Sequence, residues 1–161
     1  MTNDQEGTEQ ISQEELQRRM QLAKENCIFC KMAAGEMEPK SVYEDEQCMA
    51  VLDIHPATTG HLILFPKEHY PLMPMIPDEV MSHLSVISKY LGDLLTKTFS
   101  PDDVSVFIAN GAAAGQQSQH FLMHLIPRYA DDGIDFDMQG DAVSAEELEQ
   151  LARQLREKLQ G

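Results

Sequence analysis

The sequence predicts an α+β fold, an antiparallel sheet with helices packed against it. Three observations predict this class. Short apolar or alternating runs bounded by turn residues recur at 42–66 and 104–128, the pattern of neighbouring strands. Between them, Val80, Leu84, Ile87, Leu91, Leu94 and Leu95 recur at helical spacing, which marks one long amphipathic helix. Two capping boxes, Ser12-Gln13-Glu14-Glu15 and Ser144-Ala145-Glu146-Glu147, each open a further helix near one end of the chain.

Size and charge narrow the function classes. A chain of 161 residues with 42% hydrophobic content suits one domain with a real core. The net charge of −15 repels nucleic-acid backbones and anionic membranes, so neither is an expected partner. A small nucleotide at a locally neutral site remains compatible with it. No apolar run approaches the roughly 20 residues that span a bilayer. The polar, acidic opening does not read as a secretory signal, and the expected compartment is the cytoplasm. Cys27, Cys30 and Cys48 are an odd number with one CxxC pair, which fits a reducing compartment better than a disulfide scaffold.

Taken in order, the first ten or so residues should be loose. A helix over 13–24 follows, with Ser12 as N-cap, Glu15 reaching back to it, and a narrow stripe of Leu16, Met20 and Ala23 that should pack on the body or a partner. Cys27-Ile28-Phe29-Cys30 can clasp a tetrahedral zinc, act as a redox pair, or be two buried cysteines. A zinc needs two more ligands, and the histidines are the candidates. Residues 31–35 form a helical turn that Gly35 caps. Strands at 42–44 and 48–54 are joined by Asp45-Glu46-Gln47 as a hairpin, with Cys48 in the core. A turn-rich loop over 55–60 leads to a strand at 61–66. The long helix starts at Pro77-Asp78, with Asp78 as N-cap and His83 and Lys89 on the wet side. A strand at 104–109 then feeds 110–128. Residues 131–141 are acidic and turn-rich, and Leu148, Leu151, Leu155 and Leu159 form a last helical stripe that should pack on the body or across a dimer.

The stretch 110–128 reads NGAAAGQQSQHFLMHLIPR. A glycine-bounded loop opens it, and its backbone N–H groups can serve an anion. Then His120, Leu122 and His124 alternate with Phe121, Met123 and Leu125, the period of a two-faced strand, and Pro127 should end the run. Two histidines four residues apart in a strand lie about 13–14 Å apart, too far to share one metal, so they should do different jobs. A buried strand whose histidines only make hydrogen bonds fits the same residues.

This stretch resembles the signature of the histidine triad (HIT) superfamily, His-x-His-x-His followed by apolar residues, commonly after Gly-Gln. Gly115, Gln116, His120, His124, Leu125, Ile126, Pro127 and Arg128 fit it. Position 122, where the pattern has the histidine that attacks the α-phosphate, is leucine. CIFCKMAAGEMEPKSVYEDE resembles the opening of zinc-containing, Hint-like members, and VLDIHPATTGHLILFPKEHY continues the likeness. The resemblance implies a zinc on Cys27, Cys30, His69 and His120. It also implies a site for a purine nucleotide of the AMP or GMP type. There Asp53 would take the ribose hydroxyls, with Phe29, Val51 and Ile54 around the base and His61 close by. Asn110, Gln116, Gln117 and His124 would meet the phosphate over Leu122. Asp53 equally suits a loop-capping role. The likeness implies a two-fold homodimer and divides the chain into a tail and helix (1–26), a HIT-like domain (27–130), and an acidic linker with a last helix (131–161).

Leucine has no lone pair, so the family's covalent route is closed at position 122. Three readings follow: a nucleotide-binding protein with little or no turnover; a slow or altered hydrolase of phosphoramidates or dinucleoside polyphosphates, with His124 as the residual catalytic base; and a structural or partner-binding module.

Overall fold

The structure is a computed structural model that describes residues 12–136 and 138–159. The expectations for the first residues lie outside them. The described chain is an α+β fold with five antiparallel strands in the order β1-β2-β3-β5-β4. Its elements are α1 (Gln13–Asn26), α2 (Ile28–Ala33), β1 (Ser41–Glu44), β2 (Cys48–Leu52), β3 (Leu62–Pro66), α3 (Asp78–Phe99), β4 (Asp103–Phe107), β5 (Met123–Arg128) and α4 (Ala145–Leu159).

The period of two in the strands sorts their side chains onto two faces. Cys48, Ala50, Leu62, Leu64, Met123 and Leu125 pack against Leu84, Ile87, Leu91 and Leu95 of α3 and form the main core. The opposite face carries Met49, Val51, Ile63 and Phe65, covered by Phe29 of α2. Helix α3 therefore fills one side of the sheet, and the chemistry-bearing residues collect on the other.

Local signals explain most boundaries. Gly35 ends α2 at φ +74°. Its N–H donates to Met32 O and that of Glu36 donates to Lys31 O, the paired bonds of a Schellman cap. The β1–β2 turn is fixed by Asp45 Oδ1, which accepts from the N–H groups of Gln47 and Cys48, both at 2.8 Å. Gly60 must be glycine: its φ is +89°, and a Cβ there would sit 2.5 Å from the Phe99 ring.

Several expectations are corrected. Pro127 lies inside β5, opposite Val104. Its carbonyl accepts from Thr58 Oγ1 at 2.6 Å. That side faces away from β4 and lies beyond the Leu62–Leu125 end of the β3 ladder, so the missing N–H breaks no sheet bond. The strand begins at Met123 and not at His120, because the N–H of Phe121 donates to Tyr70 O instead of to a ladder. Asp78 is the first residue of α3, and Pro77 occupies the N-cap position. His83 is half-buried and turned to Asp45, 2.6 Å from Oδ2. Leu94 is exposed. In α1, Ser12 accepts from the N–H of Glu15, but the Glu15 carboxylate pairs with Arg19. Of the alternatives expected for the end helices, burial of their stripes on the body is not seen: neither α1 nor α4 has a buried residue, and Leu16, Met20, Leu148, Leu151, Leu155 and Leu159 are exposed.

Candidate functional site

Two clusters lie on the sheet face opposite α3, one at each end of the short stretch from His120 to His124. In the first, Cys27 caps the start of α2, Cys30 sits in its first turn, His69 follows β3, and His120 precedes β5. Cys27 Sγ is 3.3 Å from His120 Nδ1. Cys30 Sγ is 3.2 Å from His69 Nδ1 and 3.7 Å from His120 Nδ1. One ligand atom from each of the four residues lies within 4.8 Å of the others. A tetrahedral zinc at ordinary bond lengths sets its sulfur and nitrogen ligands about 3.5 Å apart, so this spacing suits one ion.

The hydrogen bonds prepare the same donors. His120 Nε2–H donates to Pro66 O at 2.8 Å, which turns the Nδ1 lone pair toward the thiols, as metal-bound histidines require. Burial lowers the pKa of His120 to about 4 and, with the hydrogen bond that the Cys30 S–H gives to Cys27, raises that of Cys30 to about 12. His69 Nε2 is buried with no partner among the described residues. The donor set of two thiols and two neutral imidazoles fits a metal ion.

The second cluster is Asp53, His61 and His124, beside a cleft of about 500 Å³. Register places the residues: Leu52 pairs with Leu62, Ile63 with His124, and His124 with Phe107. The cleft thus crosses the sheet from the end of β2 to β4. The N–H of Ala57 donates to His61 Nδ1 at 3.1 Å, so that nitrogen carries the lone pair and Nε2 the hydrogen. His61 Nε2–H then donates to His124 Nδ1 at 2.9 Å. This chain assigns the remaining hydrogen of neutral His124 to Nε2, the edge away from His61. Burial lowers the pKa of both rings and favours the neutral forms. Asp53 Oδ2 is 3.6 Å from His61 Nδ1, too far for a hydrogen bond, and Asp53 Oδ1 accepts from the N–H of His55.

The expected binding residues divide on inspection. Phe29, Asp53, Gln116, Gln117, Leu122 and His124 line the cleft. Val51, packed with Phe29, is 3% exposed and Ile54 is 82% exposed, and neither is part of the cleft's lining. Asn110 does not line it either: its Oδ1 accepts from the N–H of Met73. The Gln116 amide is committed to the loop, accepting from the N–H of Gly111 and donating to Pro71 O and Ser118 O.

The opposite wall was missed. Phe107, Ile134 and Phe136 line the cleft on the β4 side, and the last two come from the stretch read as linker. Arg128 holds them there. Its guanidinium donates to both carboxylate oxygens of Asp132, to Ser105 Oγ and to Ile134 O. It also lies 5.3 Å from the centroid of the Phe136 ring. Phe136 stacks on Phe107 with centroids 5.6 Å apart. The one available signal was the pair of apolar residues, Ile134 and Phe136, within an acidic run.

A third group, Asp45, Cys48 and His83, lies on the α3 side of β2. The Asp45 carboxylate there accepts from two backbone N–H groups, from Tyr43 Oη–H and from His83, which fills its lone pairs and reads as a tie between α3 and the β1–β2 turn.

Comparison with known proteins agrees with this layout. Residues 34–131 match the HIT domain family. An uncharacterized HIT-like protein of Methanocaldococcus jannaschii is 40% identical over 107 residues, which are 66% of this chain and 82% of that one. The adenosine 5′-monophosphoramidase hnt1 of Schizosaccharomyces pombe is 30% identical over 135 residues, 83% of this chain and 98% of its own. A zinc-bound histidine triad family protein of Mycobacterium smegmatis superposes with a TM-score of 0.66 at 28% identity, over 85% of this chain and 97% of that one.

Proposed function

Because the chain belongs to the HIT family, we propose that it is a purine nucleotide-binding protein with a structural zinc and little or no nucleotidyl-histidine turnover. The observation that carries the reading is the place of Leu122. It lines the same cleft as Asp53 and His124 and packs against the cluster around Phe29. A hydrocarbon therefore stands where the family resemblance puts the attacking imidazole.

The other parts keep binding roles. Asp53 offers a carboxylate to ribose hydroxyls. Gln117, Ser118 and the Nε2–H of His124 are the donors a phosphate would meet. The hydrogen-bond chain through His61 weighs against His124 as the base that activates water, since a neutral ring with its hydrogen on Nε2 has no lone pair there. Cys27, Cys30, His69 and His120 would hold the zinc, which would pin α2 to the segments after β3 and before β5. None of these four residues lines the cleft, so the part of an ion held there would be structural.

In this reading 27–130 is the body, Ile134 and Phe136 are fastened to it as a wall of the cleft, and α1 and α4 flank it. The exposed stripes on α1 and α4 and the edge strand β4, where Val106 is 52% exposed, are surfaces a homodimer would cover. Free thiols at Cys27, Cys30 and Cys48 suit the cytoplasm, and no described helix is long and apolar enough to cross a membrane.

Calorimetric titration with AMP and GMP, paired with incubation in an adenosine phosphoramidate, tests the proposal. Saturable binding without turnover, and no nucleotidyl adduct in the intact mass, is the expected result. A trapped phosphorus–nitrogen adduct, or no heat at millimolar nucleotide, would overturn it.

A further inference from the structure

The cleft is longer than a nucleoside 5′-phosphate needs. Asp53 stands at the end of β2, and Phe107 on β4 lies three strand spacings away, about 14 Å. A ribose held at Asp53 with its 5′ side toward β4 would bring the first 5′ group over β5, where Leu122 and His124 line the cleft. Beyond that point the surface is hydrocarbon: Phe107, Ile134 and Phe136. Among the described residues no lysine or arginine lines the cleft, so none of them favours a second phosphate there.

The wall is also held in place. Arg128 makes four kinds of contact with the segment that carries Ile134 and Phe136 or with the strand beneath it: to Asp132, to Ser105, to Ile134 O and to the Phe136 ring. Ile134 and Phe136 fall past residue 131, where the family match ends.

We propose that Phe107, Ile134 and Phe136, continuous with Leu122, form an apolar subsite for an aromatic or similarly hydrophobic group carried on the 5′ side of a nucleoside. The proposal rests on the nucleotide-binding reading of the same cleft and adds the class of ligand it prefers. Two aromatic rings and a branched aliphatic side chain remove such a group from water without asking for a charge. Leu122 extends the apolar surface to where a phosphate would otherwise be hydrogen-bonded.

Calorimetry with adenosine, AMP and 5′-deoxy-5′-phenylthioadenosine tests it. The phenylthio compound should bind the unaltered protein at least tenfold more tightly than adenosine, and AMP should lack that gain. Phe136→Ala should erase the gain while leaving adenosine affinity unchanged, and Phe136→Leu, which stays apolar, should retain part of it. Equal affinities for adenosine and the phenylthio compound, or a Phe136→Ala loss shared by both, would refute the subsite and leave the nucleotide reading standing. If none of the three compounds binds, the nucleotide reading fails and the subsite with it.

Discussion

Removing the metal from Cys27, Cys30, His69 and His120 should lower the melting temperature by about 8–16 °C. The figure follows from the chain segments that the cluster joins. Cys30 and His69 are 39 residues apart in sequence, and Cys27 and His120 are 93 apart. A cross-link closing a loop of the shorter length restricts the unfolded chain by about 4 kcal/mol in the chain-entropy treatment. For a domain of this size each kcal/mol moves the midpoint by about 2–4 °C. The second link would add less than its own loop predicts, because the two share the same ion. The assay is a thermal melt of reduced protein before and after chelation, with zinc counted on the same samples. Cys30→Ser should melt at the chelated temperature whether or not chelator is present. A zinc content that falls from one per chain to none while the midpoint moves by less than about 2 °C would refute the cross-linking argument.

Other expectations are equally direct. Leu122→His restores a ring nitrogen beside His124 and should convert a binder into a protein that hydrolyses adenosine phosphoramidates through an adduct visible by intact mass; a folded, nucleotide-binding variant that stays inert would show that the floor differs from the one described. Asp53→Ala should weaken adenosine by about tenfold, the worth of one hydrogen bond to a charged group, and leave 2′,3′-dideoxyadenosine unchanged; equal losses would remove Asp53 from the ribose. Asp45→Asn should cost about 2 kcal/mol, read as a drop of about 4–8 °C in a melt at neutral pH. Burial pushes the Asp45 carboxyl up, but the Cys48 N–H, His83, Tyr43 and the Gln47 N–H outweigh it and hold it well below the usual carboxylate range. Its contribution is therefore full above an unfolded value near pH 4 and fades as pH falls toward the depressed folded value. Wild type should lose stability over that acid window more steeply than Asp45→Asn, and parallel pH profiles would remove Asp45 from that role.

The parts of the fold that were legible in the sequence are those set by neighbours in the chain. Gly35 ends its helix, and the apolar period of α3 marks its buried face, because caps and stripes act over a few residues. The likeness at 110–128 located His120, Leu122 and His124 together. What sequence could not supply was the direction of side chains in loops. Asn110 turns from the cleft because the N–H of Met73, distant in sequence, needs an acceptor. Gln116 is spent on Gly111, Pro71 and Ser118 for a similar reason. Phe136 reads as part of an acidic linker until Arg128 fastens that segment against β4.

Phe29 sits between the two cysteines of the CxxC pair and also walls the cleft, with its ring 5.7 Å from that of His120. One side chain therefore serves two masters. Whatever loosens the thiol end of the molecule, whether oxidation, acid or a stronger chelator, frees the ring against which a ligand rests. Affinity for small molecules should in consequence track the redox and metal status of the surroundings, although neither cysteine lines the cleft.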